Sequence, residues 1–231
     1  NTYMDDGAAE VAGAVAEETI TGPDRAMVEA IRATAAELFT AKGYAATSTR
    51  EIALRVGIKQ ASRYYYFPNK QAILESLMLD TINEPLHVIA LLERESCSPA
   101  VRLHAMATYD ASQLAADRWN LGALYLLPEI RHLPTFAQFF ALNERLRDRY
   151  RELCASARAA AGLPPDPART KLPYRIVETA TRMRVDGEEV DVELIADSVL
   201  AVLQLDRLND ADRAESAALA RAVLDRVSRT T

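Results

Sequence analysis

Apolar positions recur at helical spacing over most of the chain. Between residues 24 and 42, Met27, Ile31, Ala35 and Leu38 share one face, joined by Val28 and Phe39. Pro23 stands near the start of this stretch and Gly43 just past its end, so the spacing predicts a helix over 24–42. A short helix is predicted over 49–56, opened by a capping box of Ser48 with Glu51 and closed by Gly57. A third, over 59–66, stops before Pro68. Asn69 can cap a fourth that starts at Lys70 and turns Ile73, Leu74, Leu77 and Met78 inward, with Pro85 expected to bend or end it. Further helices are predicted over 99–117, 120–127, 135–161, 173–185, 192–208 and 211–229, with loops at 162–173, which holds four prolines, and at 186–191. No alternating stretch is long enough to require a strand, and no internal repeat is visible. The fold class expected is all-α.

Composition agrees: Gly is scarce, while Ala, Leu, Arg and Glu are abundant. A length of 231 residues suits one large domain or two smaller ones. Cys97 and Cys154 stand alone among bland neighbours, as small buried or half-buried thiols do. No run of 18 apolar residues occurs, and no basic segment is followed by an apolar one near residue 1. The expectation is a soluble cytoplasmic protein with no membrane association.

The net charge is −6, but its distribution is uneven. Residues 1–21 carry five acids and no base, and 1–22 read as a mobile acidic tail. Residues 22–83 carry eight bases and six acids; 84–231 carry 19 bases and 22 acids. Within 47–70 there are five bases (Arg50, Arg55, Lys59, Arg63 and Lys70) against the single acid Glu51.

That basic stretch is also where two short helices meet at a glycine turn, the arrangement of a helix-turn-helix. Ala53 is small enough to let the second helix cross the first closely, and Gly57 suits a positive φ. Ile52, Val56 and Ile58 form the apolar wedge, and the helix over 24–42 supplies the third wall. The second helix then offers Lys59, Gln60, Ser62 and Arg63 outward, followed by three tyrosines. Lys and Arg can pair with guanine edges or phosphates, Gln with adenine edges, and Ser and Tyr hydroxyls with phosphates. Lys70, beside the free N–H groups opening the next helix, suits a phosphate.

Three fragments resemble the tetracycline-repressor (TetR) family of bacterial regulators, together covering about 24–79. They are Ala-x-x-Leu-Phe-x-x-x-Gly-Tyr at 35–44, Thr-Ser-x-x-Glu-Ile-Ala-x-x-Val-Gly-Ile at 47–58, and Tyr-Tyr-Tyr-Phe-Pro-Asn-Lys-x-x-Ile at 64–73. The resemblance implies an all-helical homodimer with an N-terminal DNA-binding domain and a C-terminal ligand-binding and dimerisation domain. Position by position, it places Thr47, Ser48 and Arg50 at the backbone or groove edge. Lys59, Gln60, Ala61 and Ser62 would face base edges, and Tyr64, Tyr66 and Lys70 would hold phosphates. The chain departs from the family at Lys59 and Ala61, where Ser and Gly are frequent, and at Arg63, where Leu is usual. Arg63 leaves two readings open: it disturbs the packing of the recognition helix, or it reaches DNA.

The C-terminal part is less explicit. His104, Tyr109, Gln113, Trp119, Tyr125, Phe136, Phe140 and Asn143 mix aromatic and polar groups as a small-molecule pocket does, and the same spacing also suits plain core. The last two predicted helices carry the stripes Ile195, Val199, Val202, Asp206 and Ala196, Leu200, Leu203, Arg207. So much apolar surface calls for a partner helix, either within this chain or, as the resemblance implies, from the last two helices of a second copy. The pairs Glu84/His87 and Glu129/His132 have metal-ligand spacing, but Pro85 and Pro128 keep both from helix interiors, so neither metal nor cofactor is expected. No phosphate loop or nucleophile elbow is present.

The expectation is therefore a non-enzymatic, ligand-responsive repressor. Its acidic tail is at 1–22, its DNA-binding domain at 23–83 and its ligand-binding and dimerisation domain at 84–231. It would bind a palindromic double-stranded operator as a dimer and be released by a small-molecule effector. The rival is a helical enzyme or protein–protein adaptor that does not bind DNA.

Overall fold

The computed structural model describes residues 22–116 and 133–230. Among the described residues there are nine α-helices and no strand: α1 (Gly22–Lys42), α2 (Thr49–Val56), α3 (Gln60–Tyr66), α4 (Lys70–Leu92), α5 (Pro99–Ala116), α6 (Ala137–Ala160), α7 (Leu172–Val185), α8 (Val192–Val202) and α9 (Asp210–Thr230). Single 3₁₀ turns at Pro134–Phe136 and Arg169–Lys171 lead into α6 and α7. The chain is all-α, as its periodicity predicts. The helix expected over 120–127 lies outside the described residues.

α1 packs on α2 and on the first half of α4. Ile31, Ala35, Leu38 and Phe39 of α1 meet Ile52 of α2 and Ile73, Leu74, Leu77 and Met78 of α4 in one buried cluster. The inward faces are those that the 3.6-residue period selects. Lys42–Glu51 and Arg55–Glu37 ion pairs brace α1 against α2. Half of the expected capping box forms. The Ser48 hydroxyl accepts the Glu51 N–H at 3.2 Å, while the Glu51 carboxylate lies against Lys42.

α4 does not stop at Pro85. It runs on to Leu92, and Pro85 itself is buried. A proline costs a helix one N–H and crowds the carbonyl four residues back. Here Ile82, Val88, Ile89 and Leu92 are all buried around it, and their packing outweighs that loss. A division of the chain at 83/84 thus falls inside one continuous helix, whose second half packs on α5, α6 and α9.

α5 is the central helix of the larger part, touching α4, α6, α7, α8 and α9. Its residues from Leu103 to Ala107 are buried without interruption, which needs neighbours on every side. Two consequences bear on the sequence reading. First, Ile195, Ala196, Val199, Leu200 and Leu203 are buried within this chain, because α8 packs on α5 and α7. These five residues of the two stripes are core, while Val202 is half-buried and Asp206 and Arg207 are exposed. Second, α8 ends at Val202 and does not extend to 208. Arg158 is buried and donates to the carbonyls of Leu203 at 2.5 Å and Pro164 at 2.8 Å; Arg169 donates to the Val202 carbonyl at 2.9 Å. Two guanidinium groups thus take up carbonyls that another turn of helix would have used, and Gln204 turns the chain with φ +60°. Among the described residues no helix is long and apolar enough to cross a membrane.

Candidate nucleic-acid interface

α2 and α3 are joined by a tight left-handed turn. Gly57 has φ +81° and ψ +24°, and the Ile58 N–H returns to the Ala53 carbonyl at 3.0 Å, which closes α2 and redirects the chain into α3. α3 stops because Phe67, ahead of Pro68, is extended at φ −139° and ψ 124°. Asn69 then caps α4 by accepting the Ala72 N–H at 2.8 Å. Two short helices are thus fixed against α1 with the outer face of α3 uncovered.

On that face Lys59, Ala61, Ser62 and Tyr64 are exposed, as are Ser48 and Arg50 beside them. Tyr65, not singled out from the sequence, is 75 % exposed and belongs to the same surface. The signal was present: of three consecutive tyrosines on a helix, only Tyr66 can turn inward with Arg63. Leu54, 78 % exposed on α2, is an apolar group in the same region.

Besides Ser48, which caps α2, and Arg63, four predicted contact residues make side-chain hydrogen bonds inside the chain. The Thr47 hydroxyl is buried and donates to the Gly43 carbonyl at 2.9 Å. The Gln60 amide donates to the Thr49 hydroxyl at 3.2 Å, tying α3 to α2. The Tyr66 hydroxyl donates to Asp24 at 3.1 Å. The Lys70 ammonium donates to the carbonyls of Tyr44 (2.7 Å), Thr47 (2.9 Å) and Ala45 (3.4 Å) and lies 4.2 Å from the Tyr44 ring centroid, so it braces the α1–α2 loop. Burial holds its pKa below the usual lysine value.

Arg63 is 0 % exposed, so in this structure its side chain packs inside the reading head. Its guanidinium donates to the Phe67 carbonyl at 2.5 Å and lies 3.8 Å from the Tyr64 ring centroid, while its Nε is buried with no hydrogen-bond partner among the described residues. The Phe67 carbonyl is left over where the helix stops at proline, and Arg63 reaches it from one turn earlier.

The residues expected to form a small-molecule pocket do not converge. Trp119 and Tyr125 lie outside the described residues. Phe136 is buried in the core, and Phe140 is half-buried, edge-on to Phe139 with ring centroids 5.3 Å apart. Buried Asn143 accepts the Tyr174 hydroxyl at 3.0 Å. His104 is sealed in: its Nδ1 is 2.8 Å from the Ser216 hydroxyl and its Nε2 is 3.3 Å from Asp197. Ser216, His104 and Asp197 follow the order of a hydrolytic relay, but Ser216 is 0 % exposed and cannot meet a substrate. Burial lowers the His104 pKa and outweighs the Asp197 hydrogen bond, so the ring stays neutral. Burial pulls the Asp197 pKa up, but Arg207 and Arg213 prevail and hold it below the usual carboxylate value.

Tyr109 and Gln113, of the described residues, line a cleft of about 340 Å³ between α1, α4 and α5. There the Tyr109 hydroxyl donates to Glu84 at 2.6 Å. Asp110, buried beside it, accepts the Tyr150 hydroxyl at 2.7 Å, and burial pushes its carboxyl up to about 6. An acid in the middle of the apolar run of α5 was the sequence signal for this cleft.

With this geometry in place, the molecule is a helix-turn-helix transcriptional regulator. A family model described as bacterial regulatory proteins, tetR family, matches residues 31–77. The crystal structure of Mycobacterium smegmatis AmtR is 45 % identical and superposes with a TM-score of 0.73 over 84 % of this chain and 92 % of that one. The HTH-type transcriptional repressor KstR2 of Rhodococcus jostii (strain RHA1) is 25 % identical over 177 residues, covering 73 % of this chain and 85 % of its own. AibR, solved in complex with isovaleryl coenzyme A and operator DNA, is 20 % identical and has a TM-score of 0.61 over 78 % of this chain and 97 % of that one. The chain belongs to the TetR family of bacterial regulatory proteins.

Two variants test these assignments. Arg63→Met keeps the stem's volume and removes a buried charge, so DNA affinity in a fluorescence-anisotropy titration should stay within about threefold of the parent. A tenfold loss would instead mark Arg63 as a DNA contact. Asp110 holds its proton more tightly folded than unfolded, so its contribution to stability is largest at low pH and is lost as pH rises through about 6. Asp110→Asn should therefore stabilise the chain against urea at pH 7.5, by up to about 3 kcal/mol, with most of that gain gone by about pH 4.5. A gain or loss independent of pH would contradict this.

Proposed function

We propose that the chain is a dimeric repressor that reads a palindromic operator through α3 and leaves it when a small molecule occupies the larger helical part. In this reading residues 23–83 form the DNA-binding unit and 84–231 the effector and dimerisation unit, with α4 shared between them. The observation that carries it is the uncovered face of α2 and α3: Arg50, Lys59, Ser62, Tyr64 and Tyr65 are exposed together on a head braced from behind by Lys70 and Arg63. Lys59, Ala61 and Ser62 are the residues we assign to base edges; Ser48, Arg50, Tyr64 and Tyr65 are those we assign to phosphates.

Two-fold pairing needs a second surface, and α7 and α8 supply a candidate. They pack side by side and expose Leu172, Val185 and Leu194, with Ile176 and Val202 half-buried between. An apolar face of this kind suits burial against a second copy, and a dimer presents two reading helices to successive half-sites. Effector control is supported by the cleft between α1, α4 and α5. A ligand can act only by binding the DNA-bound and free conformations unequally, and this cleft lies between the helix that backs the reading head and the centre of the bundle.

Footprinting on the DNA upstream of the protein's own gene is the test. Protection of two half-sites related by a dyad is expected. Arg50→Ala and Tyr64→Phe should weaken binding to all sequences, whereas Lys59→Ala with Ser62→Ala should change the preferred bases at a cost of about 1–3 kcal/mol at the native site. No protection at low salt would contradict the reading.

A further inference from the structure

We propose that the cleft between α1, α4 and α5 is a site for an organic cation, an amine or guanidine carried on a short apolar body. The claim names the chemistry of the effector proposed above and rests on that reading for its regulatory consequence. Four carboxyl groups line the cleft: Glu29 from α1, Asp80 and Glu84 from α4, and Asp110 from α5. Among the described residues one cation, Arg32, faces them. Glu178 adds further negative potential at Asp110. Arg184 is not among the lining residues; it donates to the Leu114 carbonyl at 2.9 Å.

The remaining wall is apolar or neutral. Ala33, Leu77, Pro85 and Leu114 provide contact surface, and Tyr109 and Gln113 provide hydrogen-bonding groups. A cleft of about 340 Å³ falls in the size range of small-molecule sites. Glu29 and Asp80 stand at the exposed rim, paired with Arg32, whereas Glu84 and Asp110 lie deeper, where carboxylates repel one another more strongly and a bound cation relieves that repulsion. Glu84 receives one hydrogen bond from Tyr109 and Asp110 one from Tyr150, each to a single carboxylate oxygen. An ammonium or guanidinium has the several N–H donors that such a set of acceptors can use. An acyl thioester of coenzyme A, the ligand class of AibR, would instead bring phosphates toward this negative wall.

The position gives such a ligand a lever. Arg32 adds a polar tie to the buried apolar contact of α1 with α4: it pairs with Asp80, and also with Glu29 at 3.3 Å on its own helix. Its Nε is buried with no hydrogen-bond partner among the described residues. A ligand cation competes with Arg32 for the carboxylates of α4. Occupancy therefore loosens the joint between α1 and α4 one turn from the core of the reading head, where Ile31 and Leu77 are buried. The Glu84–Tyr109 bond carries the same change to α5.

Isothermal titration of the full chain with n-butylammonium, 1,4-diaminobutane, agmatine and spermidine, and with butan-1-ol and butyrate as neutral and anionic counterparts, tests the site. At least one cation should saturate at one per chain with a Kd of about 1 mM or tighter, and neither counterpart should bind. Glu84→Gln should weaken that binding by about tenfold or more. Gln113→Glu, which adds a carboxylate to the wall, should strengthen it and serves if Glu84→Gln fails to fold. No saturation by any of the four cations, binding of butyrate, or a Kd unmoved by both variants would overturn the proposal. Footprinting without added amine separates the two claims. Operator protection with no cation binding defeats the cation site alone, and cation binding with no protection defeats the repressor reading alone.

Discussion

Everything in this molecule is tied to the continuity of α4, whose buried face runs from Ile73 to Leu92. Its first half closes the core of the reading head with Ile73, Leu74, Leu77 and Met78, and its second half closes the core of the bundle with Ile82, Val88, Ile89 and Leu92. Had Pro85 ended the helix, the head would have joined the rest through a loop and could move independently of it. Because the helix continues, the orientation of α3 is set by the packing of α4 on α5, α6 and α9. Close-packed interiors shift between discrete arrangements, so a change at the cleft beside Glu84 and Tyr109 is passed on.

The reading head shows a division of labour among its cations. Lys70 and Arg63 lie within the basic stretch, yet both serve carbonyls left over by turns: Lys70 those of Tyr44 and Thr47, Arg63 that of Phe67. Their charge stays close to the surface and adds to the local positive potential, while Arg50 and Lys59 are exposed. The acidic total of the chain is no obstacle, because the acids are concentrated elsewhere and screening confines their influence to roughly 10 Å.

Much of the fold was legible in the sequence. α2 matches its expected bounds, and α1, α3, α5, α7 and α9 start or end within about two residues of theirs, because caps, glycines and apolar periodicity act locally. What the sequence could not reveal depended on distant partners. The continuation of α4 past Pro85 needed the walls of the bundle, and the early end of α8 needed Arg158 and Arg169, which lie more than 30 residues away in the chain. The stripes of α8 were correctly read as buried, but the surface covering them is α5 and α7 of the same chain. The interface residues follow the same rule. Exposed Lys59, Ser62 and Tyr64 were readable from helix geometry, whereas the inward engagement of Thr47, Gln60 and Lys70 depended on a loop conformation that no periodicity encodes. Of the eight residues expected to line a pocket, Tyr109 and Gln113 do so, and the acids that give the cleft its character went unnoticed.

The central claim is that the face of α2 and α3 binds DNA, with the exposed cations Arg50 and Lys59 of each copy meeting its charge. Its most direct test is the salt dependence of affinity for the upstream DNA fragment. Log affinity should fall linearly with log salt concentration, with a slope of about −4 or steeper for a dimer that neutralises several phosphates. A flat dependence, with binding unchanged between about 50 and 200 mM salt, would contradict the account.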